Sequence, residues 1–454
     1  MKAAELADLL QAALSRAGEA EADAMAVHQD RGFARFAAGD LSQHMSLSEP
    51  RVHVRVARGQ RVAEVSVGLC EEPAVVAAIR RAASLADSMP EDDGFPGFAT
   101  GDAACPERSQ ALTQASPEAR VNSISGPIER IHARGLFATG ALETRIASHA
   151  VVNTHGLRRT HDSSFANYRI WALEAAGARG ASGFAQSVGV DLEALDIRAA
   201  TDRAIADAER SKTPVALEAR AYDVVLAPDA VAELFEWMAF IAFGAESLHQ
   251  GTSPLAGRMG EAISGPALSV CDDPHGSLSF ATPFDREGTP RARVELITDG
   301  VARGVVTDRR WAKRVGAAST GHAPWPSLLD SGAPQPSALV LSAGTEASVD
   351  QLLSHVRRGL YVRRLHYVNG LLEPRRAVMT GLSRDGTFLV ENGRVQSAAH
   401  PLRFTDSVLE AFARGALKTT SQEIVPPRWS DGATVATPAV LLPGLVFTGT
   451  SRAP

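Results

Sequence analysis

Glu246 and His249 stand three residues apart in FGAESLHQGTSPLAGRMGE (243–261), directly before a glycine-rich turn. A carboxylate and an imidazole at i and i+3 of a helix share one face and can meet. Such a pair offers two ligands to a metal. Zinc takes three or four protein ligands, and sites of the His-Glu-x-x-His or His-Glu-x-x-x-His type draw two histidines from one helix. Here Ala245 precedes the glutamate, and Gln250 stands where the second histidine of the longer motif would be. The stretch therefore reads first as a helix end, with a cation near the negative pole of its dipole.

The remaining chemistry-bearing residues are scattered. His149, His155 and His161 recur at a six-residue spacing in strand-like sequence. Even spacing can place all three on one face, but turn residues such as NTHG (153–156) break the register. His322 and His366 lie near glycine-rich or polar segments and are candidates to line a cleft, as are Arg258 and Tyr367. GAASTG (316–321) has the wrong spacing for a Gly-x-Ser-x-Gly nucleophile turn and reads as an ordinary turn. GARGASG (177–183) is not a dinucleotide fingerprint, and no Walker A loop occurs.

The elements that must position these residues are readable in outline. Leu6, Leu9, Leu10 and Leu14 mark an amphipathic first helix whose acids interrupt any signal-peptide core. Residues 23–68 alternate apolar and polar between short turns, which predicts an antiparallel meander. A helix follows, with Pro73 near its start and Val75, Ile79, Ala82 and Leu85 on one face. Residues 90–110 are rich in Pro, Gly and acids and read as an irregular loop. SPEARVNSISGPIERIHARG (116–135) is helical in pattern, with an interruption expected at Gly126-Pro127. Strands to about residue 190 and a helix over 192–212 complete this half, and the domain boundary is placed near residue 218. Beyond it, YDVVLA predicts a strand, and PDAVAELFEWMAFIAFGAESLHQG (228–251) one long apolar helix opened by Pro228 and Asp229. The rest reads as short strands with one further helix in SVDQLLSHVRRGL (348–360). The expectation is an α+β chain of two domains, 1–218 and a β-rich 219–454.

With 454 residues, 45% hydrophobic and 22% charged, the chain has ample material for such cores. A net charge of −6 argues against a general nucleic-acid binder. Cys70, Cys105 and Cys271 are odd in number and far apart, so neither a disulfide framework nor a cysteine-rich metal site is expected. No apolar run is long enough to span a membrane, and the cytoplasm is the expected compartment.

The order of segments around the long helix resembles the TldD/PmbA (TldD/TldE) family. The matching stretches are SPLAGRMGEAISGPALSVCDDPHG, TPFDREGTPRARVELITDGVARGVVTDRRWAKRVGAASTGH, VRRGLYV, TGLSRDGTFLVENGRV and the tail GATVATPAVLLPGLVFTGTS. In the first half, residues 30–68 and NTHGLRRTHDSSF fit as well. The resemblance implies an N-terminal α/β domain followed by a β-rich domain, and two kinds of chain that pair. TldD-type chains carry His-Glu-x-x-x-His and a later Cys around catalytic zinc, and TldE (PmbA)-type chains lack them. Ala245, Gln250 and the absence of Cys beyond Val425 put this chain on the TldE side. No metal is then expected in this chain, and zinc in a TldD-type partner. The complex implied is a cytoplasmic peptidase of small or unfolded peptides, with possible roles in peptide or natural-product maturation. Glu246, His249, Arg258, His322, His366 and Tyr367 become substrate-cleft or partner-interface candidates. Two alternatives stand beside this: an autonomous metal enzyme using Glu246, His249 and a distant ligand such as His322 or His366, and a partner-binding regulator of the gyrase-modulator kind.

Overall fold

The computed structural model describes residues 1–101, 104–105, 115–174, 180–326, 332–414, 420–422, 424–429 and 434–450. Parts of the acidic loop expected at 90–110 and of the glycine-rich stretch 177–183 lie outside these residues.

The first half is one six-stranded antiparallel sheet. Its strands are β1 (Ala22–Ala37), β2 (Asp40–Arg58), β3 (Arg61–Val67), β4 (Phe137–Asn153), β5 (Arg158–Leu173) and β6 (Ser182–Gly189), in the order β3-β2-β1-β4-β5-β6. The alternation seen in the sequence has a direct cause: alternate residues on one face of the sheet are buried under helices, while much of β2 stays exposed. Ala24, Ala26, Val52, Val54, Ala150 and Val152 meet helices α1 (Ala3–Ala17) and α2 (Glu72–Ala86). Further along the same face, Phe36, Leu142, Tyr168 and Ile170 meet α3 (Pro117–His132) and α4 (Ile197–Arg210). On the opposite face Met25 and Val151 pack on Phe284 of the second half.

The expected interruption of α3 does not occur: the helix runs through Pro127. Ser116 caps its start by accepting from Ala119 N at 3.1 Å. Ile124 and Ile131 are buried against the sheet with Ile128 packed beside them, and that burial outweighs the one hydrogen bond a proline removes.

The second half is built from two more sheets. One contains β8 (Val270–Asp272), β9 (Val294–Thr298), β10 (Val301–Ala302), β11 (Ala338–Leu341), β16 (Val425–Trp429) and β17 (Thr434–Thr437). The other contains β7 (Ala221–Leu226), β12 (Arg358–Glu373), β13 (Val378–Glu391), β14 (Arg394–Ala398), β15 (Leu402–Ser407) and β18 (Val440–Thr450). Because β12 pairs with β13 as well as with β7, strands β12, β7, β18, β15 and β13 form a closed ring. Helix α5 (Pro228–Ile241) lies against it, burying Val231, Phe235 and Met238 with Leu360, Leu365 and Phe404.

The single long helix expected over 228–251 is two helices. α5 stops at Ile241, and a short α6 (Ala245–His249) follows. The break has a backbone cause. Val306 N donates to Phe243 O at 2.8 Å and Ala245 N donates to Val306 O at 3.0 Å, so this segment is held as an isolated bridge. Gly244 fits because a Cβ there would stand 2.4 Å from Pro334 O. Besides α8 (Val349–Ser354) in the stretch read as helical, α7 (Arg309–Val315) and α9 (Val408–Ala413) were not expected. Asp308 and Ser407 cap these two by accepting from Trp311 N and Glu410 N.

Candidate functional site

Helix α6 carries the two residues that first suggested chemistry. Their side chains do not pair. Gln250 Nε2 donates to Glu246 Oε1 at 2.8 Å, while the exposed His249 ring leans on Trp311 of α7 with centroids 5.6 Å apart. Ala245, the residue before Glu246, is fully buried. The following turn is docked by Ser253, whose Oγ donates to Ala242 O at 2.7 Å and accepts from Leu255 N at 3.0 Å. Arg258 lies on the surface of that turn, donating to Ala262 O at 3.1 Å near Glu261. A zinc ion does not fit this donor set: Glu246 is engaged by an amide, and His249 is turned to an indole. Among the described residues no group of three or more His, Cys, Asp or Glu side chains converges on a metal position.

His322 is not a cleft residue. It is fully buried, its Nε2 donating to Asp272 Oδ2 at 2.6 Å and its Nδ1 lying 2.9 Å from Thr320 Oγ1. Asp272 also accepts from Ser337 N and Ala338 N, each at 2.7 Å, and from Ser337 Oγ at 3.2 Å. Burial pushes the Asp272 carboxyl up, but His322 and the backbone donors outweigh it and hold it below its ordinary value. The arrangement has the residue types of a hydrolytic triad, but its acid and its base, Asp272 and His322, are both fully buried. It is a strut tying β8 to the strand that begins at Ala338.

His366 and Tyr367 do lie at the surface, on β12. Their rings are 4.4 Å apart. His366 is half-buried, and its pKa is lowered first by desolvation and then by Arg364 and Arg384. Tyr367 has φ of 52° and is 78% exposed. A positive φ on an aromatic residue is strained backbone that the fold must hold in place. Leu371 and Leu372 on the same strand and Phe240 at the end of α5 are also exposed. Gly370 brings the strand onto Trp237, whose ring makes an edge contact with Phe240. These side chains give an apolar rim where β12 meets α5.

Of the evenly spaced histidines, two come together. The β4–β5 hairpin folds about His155, so His149 lies directly opposite His161. Both are buried, while His155 turns out to Glu21, with Nε2 2.9 Å from its carboxylate. His149 stacks on Trp325 of the second half at 4.8 Å, and Trp325 Nε1 donates to Thr282 Oγ1 at 3.0 Å. Burial, helped by His161, Arg145 and Arg291, lowers the His149 pKa to about 3, so the ring is neutral. The pair belongs to the contact between the halves. Arg55 also bridges that contact, from Asp23 to Glu287. Asp385 is a third bridge, accepting from Arg364, from Ser182 Oγ and from Trp171 Nε1.

Sequence reasoning missed Asp385, Asp272 and the buried Arg120. SRDGTF reads only as a turn, but it lies inside β13, where Asp385 and Gly386, with φ of 51° and 120°, form an irregularity in the pairing with β12. Nothing local marks Asp272 or Arg120, whose side-chain partners are remote in sequence. Among the described residues no disulfide forms; burial pushes the Cys271 thiol up to about 11. Among the described residues no helix is long and apolar enough to cross a membrane.

Residues 219–449 match the family model described as the PmbA/TldA metallopeptidase C-terminal domain. The chain belongs to the TldD/PmbA family. Its fold is that of TldE from Thermococcus kodakarensis: the crystal structure superposes with a TM-score of 0.86 over 97% of this chain and 99% of that one, at 23% identity. A metalloprotease of Methanothermobacter thermautotrophicus is 24% identical over 191 residues, 42% of this chain and 41% of that protein. The metalloprotease TldD homolog of Haemophilus influenzae is 24% identical over 181 residues, 38% of this chain and 35% of that protein. The matching stretches thus span less than half the length of these two relatives. The chain is a metallopeptidase-like protein of this family.

Proposed function

We propose that this chain is the non-catalytic, TldE-type subunit of a heteromeric zinc metallopeptidase acting on small or unfolded peptides in the cytoplasm, with the zinc and the hydrolytic groups on a TldD-type partner. The observation that carries the reading is a family fold present along nearly the whole chain beside a helix end whose donors cannot hold zinc. Ala245 and Gln250 occupy the two ligand positions, and Glu246 is committed to Gln250. The apolar rim of Phe240, Tyr367, Leu371 and Leu372 supports a partner surface, since exposed aromatic and aliphatic anchors of this kind are what interfaces bury. In such a complex this chain walls the reaction chamber, excludes water from it and positions the peptide, which strengthens the electrostatics at the partner's metal. An autonomous metal enzyme is not favoured by the geometry, because His322 is sealed against Asp272, and His249 and Glu246 diverge.

The test is co-expression with a TldD-type chain, followed by mass measurement, zinc analysis and peptide hydrolysis. The expected result is a stable heteromer with zinc and activity, and neither in this chain alone. Hydrolysis by the isolated chain with one tightly bound zinc per molecule would overturn the reading.

A further inference from the structure

The helix-covered face of the N-terminal sheet has a gap between its two helix pairs, and one side chain in the gap carries an unbalanced charge. Arg120 of α3 is 2% exposed. Its guanidinium donates to Ala115 O at 2.7 Å, Thr144 Oγ1 at 3.4 Å and Ser46 Oγ at 3.0 Å, and its Nη2 lies 3.5 Å from His44 Nε2. The Nε is buried with no partner. Among the described residues none of these partners of Arg120 is a carboxylate. A buried cation needs an anion or a full set of acceptors, and among the described residues this one has neither. Burial accordingly lowers its pKa from the ordinary arginine value.

The guanidinium forms one wall of a pocket of about 140 Å³ open to solvent, lined also by Asp30, Gly32, Ser46 and Thr144. Gly32 makes the room, because a Cβ there would stand 2.2 Å from Arg120 Cζ. The hydroxyls of Ser46 and Thr144 accept from Arg120, which leaves their own protons to give. Beside them the Asp30 carboxylate lies 3.9 Å from His28 Nδ1. The pocket, which Arg31 and Arg145 also line, therefore combines cationic and hydroxyl donors with one carboxylate. Its volume matches a ligand of about six heavy atoms, by comparison with cavities that hold a benzene-sized guest.

We propose that this pocket binds a small zwitterion, a free α-amino acid, with its carboxylate toward Arg120, Ser46 and Thr144 and its ammonium toward Asp30. The proposal does not depend on the peptidase reading, since every group it uses lies on the N-terminal domain. It is tested by calorimetric titration of the full chain with L-alanine, acetate, methylammonium and inorganic phosphate. Saturable binding of L-alanine is expected, about tenfold or more tighter than that of acetate, methylammonium or phosphate. Arg120→Gln should weaken it about tenfold or more, and Asp30→Asn should erase the preference for alanine over acetate. If Arg120→Gln does not fold, as judged by circular dichroism, the double variant Ser46→Ala, Thr144→Val takes its place. It retains the guanidinium and should lose about fivefold. No saturable binding of L-alanine, equal binding of acetate or phosphate, or unchanged affinity in whichever variant folds would show that Arg120 is only a clamp between α3 and the sheet, and would sink the proposal.

Discussion

Two histidine-bearing regions of the second half have opposite designs. At His322 every polar atom is answered: the ring bonds Asp272, which is itself held by two backbone N–H groups and a serine hydroxyl. At His366 the ring is half-buried beside a strained, exposed tyrosine and a rim of leucines and phenylalanine. The first has the residue types of chemistry and the surroundings of a core. The second has little chemistry and the surroundings of an interface. Residue type alone ranks them in the wrong order, and access to solvent reverses the ranking.

The comparison can be broken at either end. Removing the Asp272 carboxylate should have the largest effect. Asp272→Ala strands His322 and the Ser337 and Ala338 amides in the core, and should cost about 3–5 kcal/mol of stability by denaturant unfolding. A loss below about 1 kcal/mol would show that the node is not a strut. Tyr367→Glu with Leu371→Asp should leave the isolated chain's Tm within a few degrees, because both side chains face solvent. The same double variant should weaken assembly with a TldD-type chain by about 2–4 kcal/mol, read by analytical ultracentrifugation. Unaltered assembly would move the interface elsewhere.

A third test concerns His149, buried and neutral where the halves meet. Its folded pKa of about 3 lies below the unfolded value near 6.5. Its neutral form is therefore fully accommodated above about pH 6.5, and stability is lost as pH falls from there toward 3. Between pH 7 and pH 5 this one group should remove about 2 kcal/mol. His149→Phe keeps the stacking on Trp325 and should flatten that part of the pH–stability curve; parallel curves for the two proteins would refute the assignment. The smallest effect is expected at α6. Glu246→Gln and His249→Ala should each change stability by no more than about 0.5 kcal/mol. Each should also leave the activity of the assembled complex within about twofold. A tenfold loss in either would return chemistry to this helix end.

The sequence was most informative where one local rule acted alone. The alternation in residues 23–68 became β1 to β3, and Pro73 and Pro228 stand in the first turns of α2 and α5. It was least informative where a remote segment decided. The bridge from Val306 ends α5 at a place where the local pattern continues, and buried isoleucines carry α3 through Pro127. The evenly spaced histidines fall between these cases. Their period was visible, but only the hairpin centred on His155 explains why the outer two meet and the middle one does not. At the candidate site the departure from His-Glu-x-x-x-His at Ala245 and Gln250 was legible in the sequence. The seal around His322 was not, because Asp272, Thr320 and Ser337 reach it through tertiary structure.

The closed ring of strands has a consequence for how the chain is made. All six strands of the first sheet lie between residues 22 and 189 and pair mostly with sequence neighbours, so this half can consolidate while synthesis is still under way. The ring cannot. β7 at 221–226 must wait for β18 at 440–450 to arrive at its side, and until then it and α5 hold apolar faces with nothing to cover them. Such long-range closure is slow. The newly made second half is therefore the part of the molecule that most needs protection from aggregation.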